Sequence, residues 1–134
     1  MSLKWTPPRL PTKKIAVHEN TDPYAAAVHE GARLKIGGTI QARPWMMSAY
    51  QGPYGGYDAI GQFMSAYRQS SSISKAFRST ASRANNIMRQ LIKFNGWPYN
   101  ATTKRKNGQI VGPPTRNIFD KGGLARAQQP VRYE

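Results

Sequence analysis

The 134-residue chain contains no cysteine. That excludes a disulfide framework and a thiolate zinc site. Acidic residues are nearly as scarce: Glu19, Asp22, Glu30, Asp58, Asp120 and Glu134 are the whole set, and none lies between Asp58 and Asp120. Catalysis built on paired carboxylates has little to draw on. Histidine occurs twice, at His18 and His29. His29-Glu30 starts an H-E-x-x-H pattern, but Arg33 stands where the second histidine belongs. His18 and His29 hold a metal only if they meet across a hairpin, and lone histidines are more often structural. Neither Gly37-Gly38 nor Gly55-Gly56 belongs to a phosphate-cradling motif, and no G-x-S-x-G elbow is present. The expectation is a protein that is not an enzyme and uses no cofactor or metal. No apolar run approaches the ~20 residues that span a bilayer, and Met1 to Trp5 leads into no apolar signal-peptide core. The chain reads as soluble, or as a component of a large particle.

What is present is positive charge. Lys and Arg number 20 against 6 acids, a net charge of +14. Ten basic residues fall in the acid-free stretch: Arg68, Lys75, Arg78, Arg83, Arg89, Lys93, Lys104, Arg105, Lys106 and Arg116. Such a chain repels itself unless something negative lies beside it, so the expected partner is nucleic acid or the acidic face of another protein. The apolar fraction of 39% is low for a compact globule. Gly and Pro cluster in 5–11, 51–56 and 112–114. Together these predict a modest core and irregular peptide that neighbours complete. The predicted organisation is an extended Pro-rich arm over 1–14 and a single α+β domain over 15–134.

Pro7, Pro8 and Pro11 keep the arm extended. Trp5 and Leu10 on it either fold back onto the domain or anchor in a neighbouring subunit. Ile15-Ala16-Val17 reads as a short strand. Ala32 to Ile36 and Thr39 to Gln41, joined at Gly37-Gly38, read as a hairpin. Pro44 opens a short helix through Trp45, Met46, Met47 and Tyr50. Ile60, Phe63, Met64 and Tyr67, and after the serines Ile73, Phe77, Ala81, Ala84, Met88 and Leu91, recur at helical spacing. They predict one amphipathic helix, or two with a break at Ser70 to Ser72, capped by Gly96. Beyond it the chain is loop-rich, with a helical turn or two near Phe119 and Leu124 and a terminal strand at Val131 to Tyr133. The fold expected is a small antiparallel sheet packed on one long helix.

Arg78, Arg83, Arg89 and Lys93 decorate the far face of that helix without acids to pair with. With Lys104, Arg105 and Lys106 they are the candidate contacts for a partner or for nucleic acid. Tyr50, Tyr54, Tyr57, Trp97 and Tyr99 lie in or beside predicted loops, but no RNP-type motif accompanies them, and loop aromatics more often serve packing.

Two stretches carry a likeness. The first is Tyr24-Ala25-Ala26-Ala27-Val28-His29-Glu30-Gly31 followed by Ile40-Gln41-Ala42-Arg43-Pro44-Trp45-Met46. The second runs from Asn95-Gly96-Trp97-Pro98-Tyr99, through Thr103-Lys104-Arg105-Lys106, to Ile118-Phe119-Asp120-Lys121-Gly122-Gly123-Leu124. Together they resemble the signature of tailed-bacteriophage virion-morphogenesis proteins, the tail-completion, head–tail joining and neck group. The resemblance covers roughly half the chain. It marks Tyr24, Glu30, Gly31, Ala42, Arg43, Pro44, Trp45, Asp120, Gly122 and Leu124 as structural motif positions. The two blocks stand in the reverse of the family's order, and Lys121 replaces a Thr, which implies either a permuted fold or segments exchanged between subunits. In the turn, Pro44 directs the chain, Trp45 staples helix to sheet, and Arg43 is left to pair with a carboxylate or backbone carbonyl. The resemblance implies a structural subunit of the virion neck or tail, assembled in the host cytoplasm into a ring between portal and tail. Its partners would be portal, adaptor and tail proteins, with non-specific contact to packaged DNA and none to membrane. The competing reading is a basic nucleic-acid-binding component of ribosomal type.

Overall fold

A computed structural model describes residues 1–7, 14–33, 35, 37, 39–51, 58–94, 96–98, 103–104, 108, 110–111, 115–116 and 123–134. The fold is α+β. Strands β1 (Ser2–Trp5), β2 (Ala16–Glu19) and β9 (Arg132–Tyr133) make an antiparallel sheet in the order β1-β2-β9. Between β2 and β9 in the chain come α1 (Ala25–Glu30), the hairpin β3 (Ala32–Arg33) and β4 (Thr39–Ile40), α2 (Trp45–Gln51), α3 (Ala59–Ser70) and α4 (Ile73–Lys93). The C-terminal part adds two short ladders. β5 (Trp97–Pro98) pairs with β8 (Thr115–Arg116), and β6 (Thr103–Lys104) with β7 (Ile110–Val111). The helical turn α5 (Gly123–Arg126) follows.

The helix pair forms where the periodicity asks for it, and the serines explain the break. Asp58 caps α3, its carboxylate accepting from Gly61 N at 3.0 Å. Ser70 Oγ donates back to Ala66 O at 2.8 Å, and Ser71 takes a left-handed conformation (φ 53°) that ends the helix. Ser72 then caps α4, accepting from Lys75 N at 3.2 Å. At the far end the expected Gly96 cap is not used. Phe94, still right-handed, closes the helix by donating to Gln90 O at 2.8 Å.

Helix α4 supplies both halves of the core. Towards its N-terminus Phe77, Ala76 and Ala81 pack with Ala16 and Phe63; towards its C-terminus Met88, Leu91 and Ile92 pack with Trp45, Met46 and Trp97. The α3 row was only partly placed by periodicity. Ala59, Phe63 and half-buried Ala66 face α4, whereas Ile60, Met64 and Tyr67 are exposed. The second row lies one residue on, about 100° round the helix, where none of the described elements covers it.

The N-terminal residues are extended, but Ser2–Trp5 is a strand of the sheet and not an arm reaching to a neighbour. It pairs with β2 in the register Ser2↔Glu19 to Trp5↔Ala16. Trp5 stacks between Tyr50 (ring centroids 4.7 Å apart) and Phe77 (5.9 Å). It therefore folds back onto its own domain. Leu10 lies outside the described residues.

Trp5→Ala should destabilise the isolated chain by about 2 kcal/mol, less than a fully buried aromatic because Trp5 is only partly buried. Urea unfolding measures it. An anchor for a neighbouring subunit would leave monomer stability untouched.

Candidate functional site

Of the motif positions, Arg43 and Trp45 are buried and Gly31, Pro44 and Leu124 are half-buried. Gly31 follows α1 at φ 80°, and a Cβ there would sit 2.8 Å from Ile40 O and 3.1 Å from Ala42 N. The chain crosses its own hairpin too closely for any side chain. Arg43 N donates to Val28 O at 2.9 Å, tying the second half of this block to the first. Arg43 itself is only 4% exposed, as a residue of the fold's own architecture would be. Trp45 is fully buried, and its Nε1 donates to Gln128 Oε1 at 3.3 Å. Tyr24, Glu30 and Ala42 are exposed, and Pro44 is half-buried at the start of α2, where its carbonyl accepts from Ser48 N. From the second block, Trp97 is buried in the same cluster as Trp45 and its Nε1 donates to Leu91 O at 3.1 Å. Leu124 packs on the same cluster. Asp120, Gly122, Arg105 and Lys106 lie outside the described residues, and of Lys104 only the backbone, in β6, is described.

A buried polar network, which sequence reasoning missed, joins the two blocks. Tyr50 OH donates to His18 Nε2 at 2.6 Å, and His18 Nδ1 donates to Asn85 Oδ1 at 3.1 Å. The acceptor is assigned because Gln128 Nε2 also donates to Asn85 Oδ1 (3.2 Å) while Asn85 Nδ2 donates to Gln129 O (3.0 Å). Asn20 Nδ2 donates to both Gln128 Oε1 (3.0 Å) and Leu124 O (2.9 Å). Backbone bonds run alongside, from Gln129 N to Glu19 O and reciprocally between Ile15 and Glu134. Each member looks like an ordinary surface residue in sequence, and the partners lie up to 108 positions apart.

Both histidines are held neutral. Burial pushes His18 below the ordinary value near 6.5, with the Asn85 hydrogen bond opposing it. Burial does the same to His29, against the nearby Glu30 carboxylate. His29 Nε2 accepts from Met47 N at 3.3 Å, so its proton sits on Nδ1, which is buried without a hydrogen-bond partner among the described residues. The His18 ring nitrogens are committed to Asn85 and Tyr50, and among the described residues no three His, Cys, Asp or Glu side chains gather as a metal site.

Among the described residues, exposed apolar side chains include Tyr24, Met47, Phe94 and Ile110, and a row on α3. There Ile60 (59% exposed), Met64 and Tyr67 stand uncovered by any described element, with Ile73 exposed at the start of α4. On α4 the basic residues face outward, but two of them also brace the C-terminus. The Arg78 guanidinium lies over the Tyr133 ring at 4.7 Å, and Tyr133 OH donates to Arg78 O. Arg89, half-buried, donates to Gln128 O at 3.3 Å. Arg83 and Lys93 are exposed. The ion pairs among the described residues, Lys4–Glu134 at 3.7 Å and Arg132–Glu134 at 3.8 Å, both involve Glu134 on the sheet.

Two outcomes follow from this geometry. Gly31→Ala should cost about 1–3 kcal/mol, from strain at positive φ plus displacement of the Ile40 carbonyl; thermal unfolding reads it. For His18 the folded pKa lies below the unfolded one, so the unfolded state binds more protons. Its contribution is complete above pH 6.5 and lost as pH falls towards the depressed folded value, by up to about 1.4 kcal/mol per pH unit. Urea titrations at neutral and mildly acid pH should show a shallower loss in His18→Gln than in the parent.

Among the described residues no helix is long and apolar enough to cross a membrane. Comparison with known proteins finds no matching family model, no similar curated protein and no similar solved structure.

Proposed function

We propose that this chain is a structural virion protein of a tailed bacteriophage: a neck or tail-completion subunit that assembles into a homo-oligomeric ring between portal and tail. The observation that carries this reading is the meeting of the two motif blocks. They lie far apart in sequence and in reversed order, yet Trp45, Val28, Trp97 and Leu124 share one cluster. The second block runs through α5 into β9, β9 pairs with β2, and β2 leads into the first block. Followed through the β9–β2 seam, the blocks succeed one another in the order the family has them. On this reading the reversed order is that of a permuted fold.

The surfaces suit assembly as well. Protein–protein interfaces are enriched in aromatic residues and Met at their centres, and an uncovered row of Ile60, Met64, Tyr67 and Ile73 has that chemistry. The ribosomal-type alternative calls for unpaired tails threaded through RNA, whereas Ser2–Trp5 and Arg132–Tyr133 are both paired to β2.

Native mass spectrometry and light scattering of the purified protein test the proposal. The expected result is a discrete ring-sized oligomer, converted to monomer by Met64→Ser with Tyr67→Ser at unchanged melting temperature. A monomer at every concentration that also fails to co-purify with phage particles would overturn it.

A further inference from the structure

Helix α4 presents a second surface that ring assembly does not use. Lys75, Arg78, Ser82, Asn86, Arg89 and Lys93 follow one another at spacings of three, four, four, three and four, so they form a single row along the helix. All are exposed except Arg89, which is half-buried. At 1.5 Å per residue the row is about 27 Å long. Its cations stand towards the two ends, and its middle is made of short, neutral, hydrogen-bonding side chains. No acid occurs in the sequence from 59 to 119, so the helix and its partner α3 offer the row no counterion of their own.

From this arrangement we infer that the α4 row is a docking surface for double-stranded DNA, engaging phosphates without reading sequence. A duplex carries about one negative charge per 1.7 Å of axis, so a row of this length meets a dense line of phosphates. Lys, Arg, Ser and Asn are all side chains that contact phosphate oxygens. The short residues at the centre let the helix approach a major groove about 12 Å wide while the terminal cations reach its walls. The A-form groove of an RNA duplex is too deep and narrow for that approach. An acidic protein fits less well, because interface centres are apolar and depleted in Lys, and the row holds no apolar residue.

The two bracing contacts serve the same end. The Tyr133 ring and the Gln128 carbonyl each hold one guanidinium in place. Each guanidinium has five N–H donors, so most remain for phosphate. Side chains ordered before binding lose less entropy on binding. This inference is independent of the ring, since a monomer carries the same row.

The test is the salt dependence of full-length protein binding to a mixed-sequence DNA duplex, read by fluorescence anisotropy between about 50 and about 200 mM salt. Lys75→Gln with Lys93→Gln should weaken binding and flatten the log–log salt slope by about 2, as two lost phosphate contacts require. Lys4→Gln with Arg132→Gln removes the same charge from the sheet and should leave the slope unchanged. Duplex DNA should bind several-fold more tightly than the RNA duplex of the same sequence or poly-glutamate. In the unmodified protein, duplex DNA should shield Lys75 and Lys93, but not Lys4, from acetylation. Equal losses in the two double variants, equal affinity for RNA or poly-glutamate, or acetylation of Lys75 and Lys93 at the unbound rate would each overturn the inference.

Discussion

The amide of Gln128 is the joint on which the molecule depends. Its oxygen accepts from Asn20 and Trp45, and its nitrogen donates to Asn85, with Met88 Sδ at 3.6 Å. One side chain near the C-terminus thus ties together the end of β2, the start of α2 and the middle of α4. All of these polar groups are buried, and each one left without a partner costs about 1–3 kcal/mol. Peeling the C-terminal segment away would orphan several at once. That penalty, more than the two residues of β9 pairing, is what keeps the last strand in the sheet.

With the joint closed, the motif residues become fold and the function moves elsewhere. Gly31 is there because two backbones cross, and Trp45 because the network needs an indole N–H at the head of α2. Arg43 is buried with them. Two of the features turned outward differ in chemistry: an apolar row centred on α3 and a cationic row on α4. Keeping the two on different helices keeps their chemistry separate. A charge beside Met64 and Tyr67 would have to be desolvated when the apolar row is covered, and an apolar side chain among the α4 cations would hold phosphates away.

Sequence made the local structure legible. Helical spacing and the serines marked α3, α4 and their break; Pro44 marked α2; Val131 to Tyr133 marked the last strand. These signals act over a few residues. What escaped depends on contacts made at long range. Ser2–Trp5 has the composition of a loop entry and becomes a strand only because β2 lies beside it. Asn20, Asn85 and Gln128 are individually indistinguishable from solvated side chains. On α3, helical spacing groups Ile60, Phe63, Met64 and Tyr67, and of these the structure buries only Phe63. Its companions on the inner face are Ala59 and Ala66, whose small side chains carry little hydrophobic signal.

Charge couples the two outward rows. Copies of a chain at +14 repel one another, and covering the apolar row brings those charges together. Under the proposed assembly and DNA docking, a polyanion on α4 would remove part of that repulsion, so each neighbour added would make DNA binding more favourable and each DNA contact would ease the addition of the next neighbour. Because the coupling is a free energy it works equally in both directions. It is also electrostatic, so salt weakens the DNA contact while easing the repulsion between copies. Assembly without DNA should therefore gain from salt as assembly on DNA loses from it, and that opposition distinguishes two coupled surfaces from a single sticky one.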